Sequence, residues 1–373
     1  MGKLLGTYPL FGLTLRTATV RSATWEGLAD QEGFVRTELI NMLVELARGR
    51  VGMVIPGYLY VSRDGRGLPW QTGVWSDAHI EGLRRMVEAV HKQGSVIAAQ
   101  IAHAGGRTRP NLIGDKRPVA PSPVEGFSFG DTPMEMTISD IHNIIDAFGD
   151  AARRVKDAGF DALQLHAGHG YILSQFLSPL FNMRDDGYGG TAEKRRRFVI
   201  EVYERVQRAA GGSFPVFIKI NSTDGMAGGI TVEEALETVK DLSSRGLAAV
   251  EVSGGLAGSD DNRPGRKGIS VPSEEAYFQE AAYEFKKNLN IPVILVGGIK
   301  SYEIAEDMLA GGKADLVSFS RALICEPHLI KRWQEGDTRR ARCISCNLCL
   351  KEGLTGNGIA CVANKKSKDG DAA

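Results

Sequence analysis

Eight short runs of β-branched and other apolar residues recur along this chain, at Ala18 to Thr24, Val51 to Ile55, Ser95 to Gln100, Asp161 to His166, Pro215 to Ile220, Ala248 to Ser253, Pro292 to Val296 and Ala314 to Ser320. Segments with apolar residues at helical spacing alternate with them, among them Asp77 to Lys92, Ser139 to Asp157, Glu193 to Ala209, Thr231 to Ser244, Ser273 to Lys287 and Ser301 to Ala310. Strands joined through helices pair in the parallel sense, so the alternation predicts an α/β protein with a parallel sheet. Eight units is the number that closes a (β/α)8 TIM barrel. A doubly wound open sheet is the competing arrangement. With 373 residues, 43% of them hydrophobic, the chain can bury one large core, and the usual length per domain is relaxed for α/β barrels. We expect residues 1–335 to form the barrel and 336–364 a short cysteine-containing extension packed on it. Residues 365–373 are a polar run expected to be a disordered tail.

Charge and the chain ends exclude several classes of function. Lys plus Arg and Asp plus Glu are equal at 45 each, which gives no global attraction to nucleic acid or to an anionic membrane surface. Tyr8, Pro9 and Arg16 interrupt the N-terminus before a secretory apolar region can form, and no apolar run reaches the ~18 residues of a membrane span. The expected location is cytoplasmic, and the expected ligand a small molecule.

Polar residues gather where barrel strands should end. Gln100, His166, Lys219 and Glu251 fall at or near the ends of strands three to six, where a plain core would carry Val, Ile or Leu. Their convergence on one mouth points to a ligand; a self-satisfied internal network is the other reading. The segments Ala104 to Thr137 and Gly254 to Gly268 leave carboxyl ends of strands, and loops this long in a barrel usually cover a substrate. The run His166-Ala-Gly-His169-Gly-Tyr171 adds two imidazoles and a phenol directly after a strand. A His-x-x-His pair can also ligate metal, but no third ligand lies nearby in sequence.

Val296-Gly297-Gly298 precedes a helix expected to start near Ser301, and strand eight ends in Ser320-Arg321. Glycine-freed amides, a helix N-terminus and an arginine together attract phosphate, and the loops after strands seven and eight are the usual phosphate site of this fold. Tight turn packing is the alternative. The one G-x-G-x-x-A string, Gly187 to Ala192, follows no strand and so lacks the context of a dinucleotide site. A phosphate site without that fingerprint points to a mononucleotide such as FMN.

The segment His166 to Arg197, with Gln175-Phe-Leu-Ser-Pro179, Asn182, Arg184 and Tyr188-Gly-Gly190, resembles the signature of the Old Yellow Enzyme family of FMN-dependent NADH:flavin oxidoreductases, and the resemblance runs from about Leu10 to Arg332. It implies that Ser22, Ala23 and Thr24 lie along the flavin, with Thr24 bonding a flavin carbonyl. It further implies a backbone contact from Gly57 and Tyr58, a pyrimidine contact from Gln100, and phosphate binding by Gly297, Gly298, Ser320 and Arg321. Lys219 would sit by the flavin, where many members carry Arg, and Thr24 stands where one branch has Cys. His166 and His169 would hold the carbonyl oxygen of the substrate, and Tyr171 would donate a proton. The implied activity is an ene-reductase one: NADH or NADPH reduces FMN, and hydride then passes to the activated C=C bond of an unsaturated carbonyl compound. The resemblance also implies a homo-oligomer.

Cys343, Cys346, Cys349 and Cys361 stand at intervals that suit a metal centre, zinc or iron-sulfur, rather than disulfides. The motif is similar to the one after the barrel in the 2,4-dienoyl-CoA reductase and trimethylamine dehydrogenase branch, which implies a 4Fe-4S cluster. A second reading follows: a dehydrogenase or demethylase passing electrons through the cluster to a separate electron-carrier protein. Trp25, Tyr58 and the loop at Phe127 to Phe129 could line an amine pocket as easily as an enone pocket. A non-catalytic flavoprotein subunit is the third reading. Cys325 reads as an isolated packing residue.

Overall fold

The computed structural model describes residues 2–126, 132–256 and 263–364. Eight parallel strands close into a ring: β1 (Thr19–Arg21), β2 (Met53–Val54), β3 (Val96–Ala102), β4 (Ala162–Ala167), β5 (Val216–Asn221), β6 (Val250–Ser253), β7 (Val293–Leu295) and β8 (Leu316–Phe319). Each strand pairs with its chain neighbour, and β8 pairs with β1. All eight strands lie within the runs marked by the sequence or within two residues of them, and the closed ring excludes the open sheet.

Alternation along the strands sorts side chains into two cores. Val20, Met53, Ala98, Ala162, Phe217, Ala249, Ile294 and Leu316 pack together inside the ring, while Ile97, Leu163, Ile218, Val250, Val293 and Val317 face the surrounding helices. An antiparallel hairpin, Tyr8–Leu10 with Leu13–Leu15, supplies Leu10 and Leu15 to the inner core and stoppers the amino-terminal end. At its turn Phe11 takes φ 56, and its ring lies 5.6 Å from Phe217. The bottom of the barrel is therefore apolar and closed, which leaves the carboxyl end for a site.

The helices begin where threonines can cap them. Thr137 forms a reciprocal capping box with Asp140 ahead of Ile138–Asp157. Thr191 and Thr231 accept from Lys194 N and Glu234 N ahead of Ala192–Ala210 and Val232–Ser244. Such caps satisfy amides that the first helical turn leaves unpaired. The helix expected over Ser273 to Lys287 is shorter, Gln279–Asn288, because a 3-10 turn occupies Pro272–Glu274. Thr37–Arg48, between β1 and β2, is a helix that strand counting did not mark.

The C-terminal extension crosses the carboxyl end of the ring. Ala341 N donates to Lys300 O and Ile359 N to Glu26 O, and Asn364 Nδ2 donates to Cys325 O at 2.6 Å. Gly353 and Gly27 approach so closely that a Cβ on Gly27 would sit 2.8 Å from Gly353 O. The expected tail at 365–373 and the Phe127 to Phe129 loop lie outside or mostly outside the described residues, as does part of the Gly254 to Gly268 loop. No helix among the described residues is long and apolar enough to cross a membrane.

Candidate active site

A cavity of about 390 Å3 opens at the carboxyl end of the strands, within the size range of small-molecule and cofactor sites. Its floor is built by strand register. Gln100 on β3 stands opposite Gln164 on β4, and Lys219 on β5 stands opposite Glu251 on β6. Gln100 Nε2 donates to Gln164 Oε1 at 2.7 Å, and Gln164 Nε2 donates to Glu251 Oε2 at 2.8 Å. The other carboxylate oxygen accepts from Ser22 Oγ at 2.7 Å, Ser318 Oγ at 3.0 Å and Lys219 Nζ at 3.2 Å. Burial alone would raise the Glu251 pKa; the adjacent ammonium and these donors outweigh it, and the net shift is downward.

The strand-end polar residues divide by depth. Gln164 and Glu251 form a satisfied network beneath the cavity, while Gln100, Lys219, Ser22 and Ser318 top that network and line the cavity. Lys219 uses two of its three protons on Ser22 and Glu251, which leaves the third for a ligand.

One wall carries the imidazoles and phenols. His166 is the penultimate residue of β4, and its Nδ1 is buried without a hydrogen-bond partner among the described residues. His169 adopts φ 61 just beyond the strand; its amide is held by Asn221 Oδ1 at 3.0 Å and its Nε2 lies 2.8 Å from Ser253 Oγ. The two rings meet edge to face at 5.1 Å. Burial, reinforced by Lys219, pushes the His166 pKa down to about 3, and burial with His166 and Lys219 holds that of His169 well below its usual value. Both are neutral at physiological pH, so each can donate one N–H without carrying charge. Tyr171 follows, with its phenol 2.7 Å from that of Tyr58 and its pKa raised by burial.

Much of the long signature after β4 is scaffold. Gln175 Nε2 donates to Ala104 O and Gly170 O, and its Oε1 accepts from Gly106 N. Asn182 clamps Phe176 O and Tyr188 O. Arg184 reaches Pro121 O, Met136 O and Asp186. These bonds fix the loops after β3 and β4 against each other and so set where His169 and Tyr171 stand.

The opposite end of the cavity is basic, with Gly298, Lys300, Ser320 and Arg321 on the lining. Gly298 takes φ +69, and a Cβ there would lie 2.6 Å from the Tyr277 ring, so only glycine fits. The helix expected near Ser301 starts there, as Tyr302–Ala310, and the two amides that lead into it are already paired. Buried Glu275 accepts from Lys300 N at 2.8 Å and Ser301 N at 2.9 Å. Lys300 Nζ is spent on Ile269 O, Cys343 O and Ser345 Oγ, and Arg321 Nη1 on Arg266 O and Asn347 Oδ1, so the polar groups this end offers a ligand are those of Gly298, Ser320 and the rest of the Arg321 guanidinium.

Most sequence-marked residues meet here. Ser22, Ala23, Thr24, Tyr58, Gln100, His166, His169, Tyr171, Lys219, Gly298, Ser320 and Arg321 all line the cavity, whereas Gly57 and Gly297 do not. Gly57 N is committed to the Glu26 carboxylate at 2.8 Å, so its amide is not free for a ligand. The Thr24 hydroxyl donates to Ser22 O at 3.0 Å and pairs with Ser320 Oγ at 2.7 Å. Sequence reasoning missed Arg107, although it closes the glycine-rich run after Gln100. It also missed the extension as a wall, where Ser345, Asn347, Leu350 and Leu354 line the cavity.

The cysteines are placed differently from the expected ligand set. Cys343 lines the cavity, while Cys325, read as isolated, is in thiol contact with Cys361 and is pushed up to about 12 by burial and that contact. Among the described residues, no group of three or more His, Cys, Asp or Glu side chains is arranged to hold a metal ion. Cys343 and Cys346 both lie close enough to act on Cys349, whereas Cys361 stands against Cys325, so the four are not gathered as one centre; among the described residues His166 with His169 gains no third ligand.

Known proteins share this architecture. Residues 13–339 match the family described as NADH:flavin oxidoreductase / NADH oxidase. The NADH oxidase of Thermoanaerobacter brockii is 38% identical over 340 residues, covering 90% of this chain and 51% of that protein. The NADPH dehydrogenase of Geobacillus thermodenitrificans is 37% identical over 329 residues, covering 87% of this chain and 92% of that protein. A solved structure of 2-naphthoyl-CoA reductase with 2-naphthoyl-CoA superposes with a TM-score of 0.89 at 26% identity, covering 96% of this chain and 56% of that one. The chain thus spans about half the length of two of these proteins and nearly all of the third.

Proposed function

This chain belongs to the NADH:flavin oxidoreductase / NADH oxidase family, and we propose that it is an FMN-dependent enzyme that passes hydride from NADH or NADPH to the activated C=C bond of an unsaturated carbonyl compound. The observation that carries this reading is His166: a buried neutral imidazole with an unpartnered Nδ1, on the same cavity wall as the Tyr171 phenol and facing the Lys219 ammonium. Buried polar side-chain atoms are mostly hydrogen-bonded, so an unpartnered nitrogen on a cavity wall favours a ligand.

The residues fit FMN at both ends of the cavity. Gly298, Ser320 and Arg321 would hold its phosphate; Gln100, Lys219 and the Ser22 to Thr24 segment would border its ring system. The chemistry supplied by bound FMN is hydride exchange, from NADH or NADPH in one half-reaction and to the β-carbon of the conjugated carbonyl in the other. Lys219 contributes fixed positive charge in a nearly dry site, where it acts most strongly on developing negative charge. His166 and His169 donate N–H bonds to the carbonyl oxygen and stabilise the enolate without protonating it. Tyr171 gives its phenolic proton to the α-carbon, a step in which a positioned donor contributes roughly 10²- to 10⁴-fold. The 2-naphthoyl-CoA in the similar solved structure is a conjugated carbonyl compound, in keeping with this substrate class.

Protein purified without oxygen tests the reading: a flavin absorption band, bleached by NADH or NADPH and restored by a cyclic enone, is expected. A chain that binds no flavin overturns it. The oxidative alternative, with electrons leaving through a 4Fe-4S cluster to a carrier protein, requires the thiols at Cys343, Cys346, Cys349 and Cys361 to gather. Stoichiometric iron and acid-labile sulfide in the same preparation would support it.

A further inference from the structure

Tyr58 entered the site as a backbone contact, but its side chain does something else. The Tyr58 and Tyr171 phenolic oxygens are 2.7 Å apart, with ring centroids at 5.1 Å. Among the described residues neither hydroxyl makes another hydrogen bond. The loop after β2 holds this geometry from both sides. Gln71 Nε2 donates to Tyr58 O at 2.9 Å, and Gln71 Oε1 accepts from Gly67 N at 2.9 Å. Gly67 in turn lies against the Tyr171 ring, where a Cβ would come within 3.2 Å of Cε1.

A hydroxyl carries one hydrogen, so only one member of the pair donates to the other. If Tyr171 donated to Tyr58, its proton would point away from the substrate. The surroundings select the opposite sense. Arg107, on the loop after β3, faces both phenols and favours negative charge on either. Glu26, from the loop after β1, opposes charge on Tyr58. His166 and His169 on the far side are neutral. The phenolate is therefore better held on Tyr171, with Tyr58 as its donor.

Resting on the proton-donor role proposed for Tyr171, we infer that Tyr58 is a positioning residue: its O–H donates to Tyr171 Oη, aims the Tyr171 proton into the cavity, and holds the phenolate left behind. In the step, the Tyr171 O–H bond breaks and a C–H bond forms at the α-carbon with the electron pair of the enolate. The negative charge moves to Tyr171 Oη, between Tyr58 O–H and Arg107, until water returns a proton. The hydride has already come from NADH or NADPH by way of the flavin, so no further reductant is needed. Burial raises both phenols, and the hydrogen bond works in opposite directions on them, lowering Tyr171 and raising Tyr58, as a Tyr58 donor requires.

Tyr58→Phe removes one oxygen and keeps the ring. A hydrogen bond to a charged acceptor is lost, so reoxidation of the reduced enzyme by an enone should slow on the order of 10- to 100-fold relative to reduction by NADPH. The alkaline fall of that half-reaction should move to higher pH, because Tyr171 loses the donor that lowers its pKa. A structural role would leave the limb in place. Fluorotyrosine placed at position 171 and followed by fluorine NMR reads the same shift without turnover, and so stays informative if the variant binds flavin poorly. An unmoved titration, or an unchanged ratio of the two half-reactions, overturns the inference. Tyr171→Phe separates the two levels: if it leaves reoxidation fast, the proton-donor role itself fails; if it slows reoxidation while Tyr58→Phe does not, only the inference about Tyr58 fails.

Discussion

Replacing Glu251 by Gln perturbs the floor of the site without altering its shape. Glu251 is fully buried and pairs with Lys219, itself 5% exposed. Breaking a dry pair by removing one charge costs roughly 3–5 kcal/mol. Lys219 also borders the cavity, where water can reach its third proton, so the lower end, about 3 kcal/mol, is expected. Unfolding entropy of roughly 2 cal/mol/K per residue over a chain of this length converts that into a Tm lower by on the order of 4 °C. A second effect follows from hydrogen-bond polarity. The amide oxygen of the new Gln would replace the carboxylate oxygen that accepts from Ser22, Ser318 and Lys219, so its NH2 must face Gln164. Gln164 then turns its oxygen toward residue 251 and its NH2 toward Gln100, and Gln100 must turn over in its turn. The cavity is then offered an N–H donor where it had an acceptor. Because the Glu251 pKa is depressed in the folded chain, its contribution is present above the unfolded carboxylate value near pH 4.3 and lost as pH falls through the folded one. The variant should therefore lose less stability than the parent below about pH 4. The assays are thermal unfolding of the flavin-free chain by circular dichroism across pH, and FMN affinity by fluorescence quenching. An unchanged Tm together with unchanged FMN affinity would refute the floor network as the organiser of the site.

Gly298→Ala places a methyl 2.6 Å from the Tyr277 ring at φ +69, and should weaken FMN binding at least tenfold in equilibrium dialysis while leaving the far-ultraviolet circular dichroism intact; wild-type affinity would remove Gly298 from the phosphate end. His166 is buried neutral with its pKa lowered to about 3, so the unfolded chain takes up a proton between its usual value near 6.5 and 3 that the folded chain does not, and stability falls as pH drops through that window. His166→Gln should flatten the pH dependence of urea unfolding there by ~1.4 kcal/mol per pH unit; an unaltered slope would mean that His166 is protonated in the fold. Tyr171→Phe should slow enone reduction by roughly 10²- to 10⁴-fold with flavin reduction by NADPH unchanged in stopped-flow absorbance, and a collapse of flavin reduction instead would remove the proton-donor role.

The barrel was legible because its strands are short, β-branched and separated by helices, a pattern set by local spacing. The eight strands needed no knowledge of distant contacts. Gln100, His166 and Lys219 were legible for a related reason, as polar residues on inward positions where apolar ones are expected. What escaped depends on contacts between distant parts of the chain. Glu275 takes the Ser301 amide just ahead of the helix, and nothing near either residue announces that pairing. Gly57 spends its amide on Glu26. The extension becomes a cavity wall because glycines at 27 and 353 let two backbones touch, which spacing cannot reveal. The cysteine intervals placed Cys343 and Cys346 near Cys349, but they could not show Cys361 standing beside Cys325, a neighbour far away in sequence. The helix Thr37–Arg48, with Leu39, Leu43 and Leu46 buried on one face, carried a readable helical period that attention to strands passed over.

The most direct test of hydride passage through one pocket is isotopic. Reduction of a prochiral enone with NADPH carrying deuterium at both C4 positions in ordinary water should put deuterium on the β-carbon alone, and unlabelled NADPH in deuterium oxide should put it on the α-carbon, the position served by Tyr171. Deuterium absent from the β-carbon in the first experiment, with product still formed, would contradict the account.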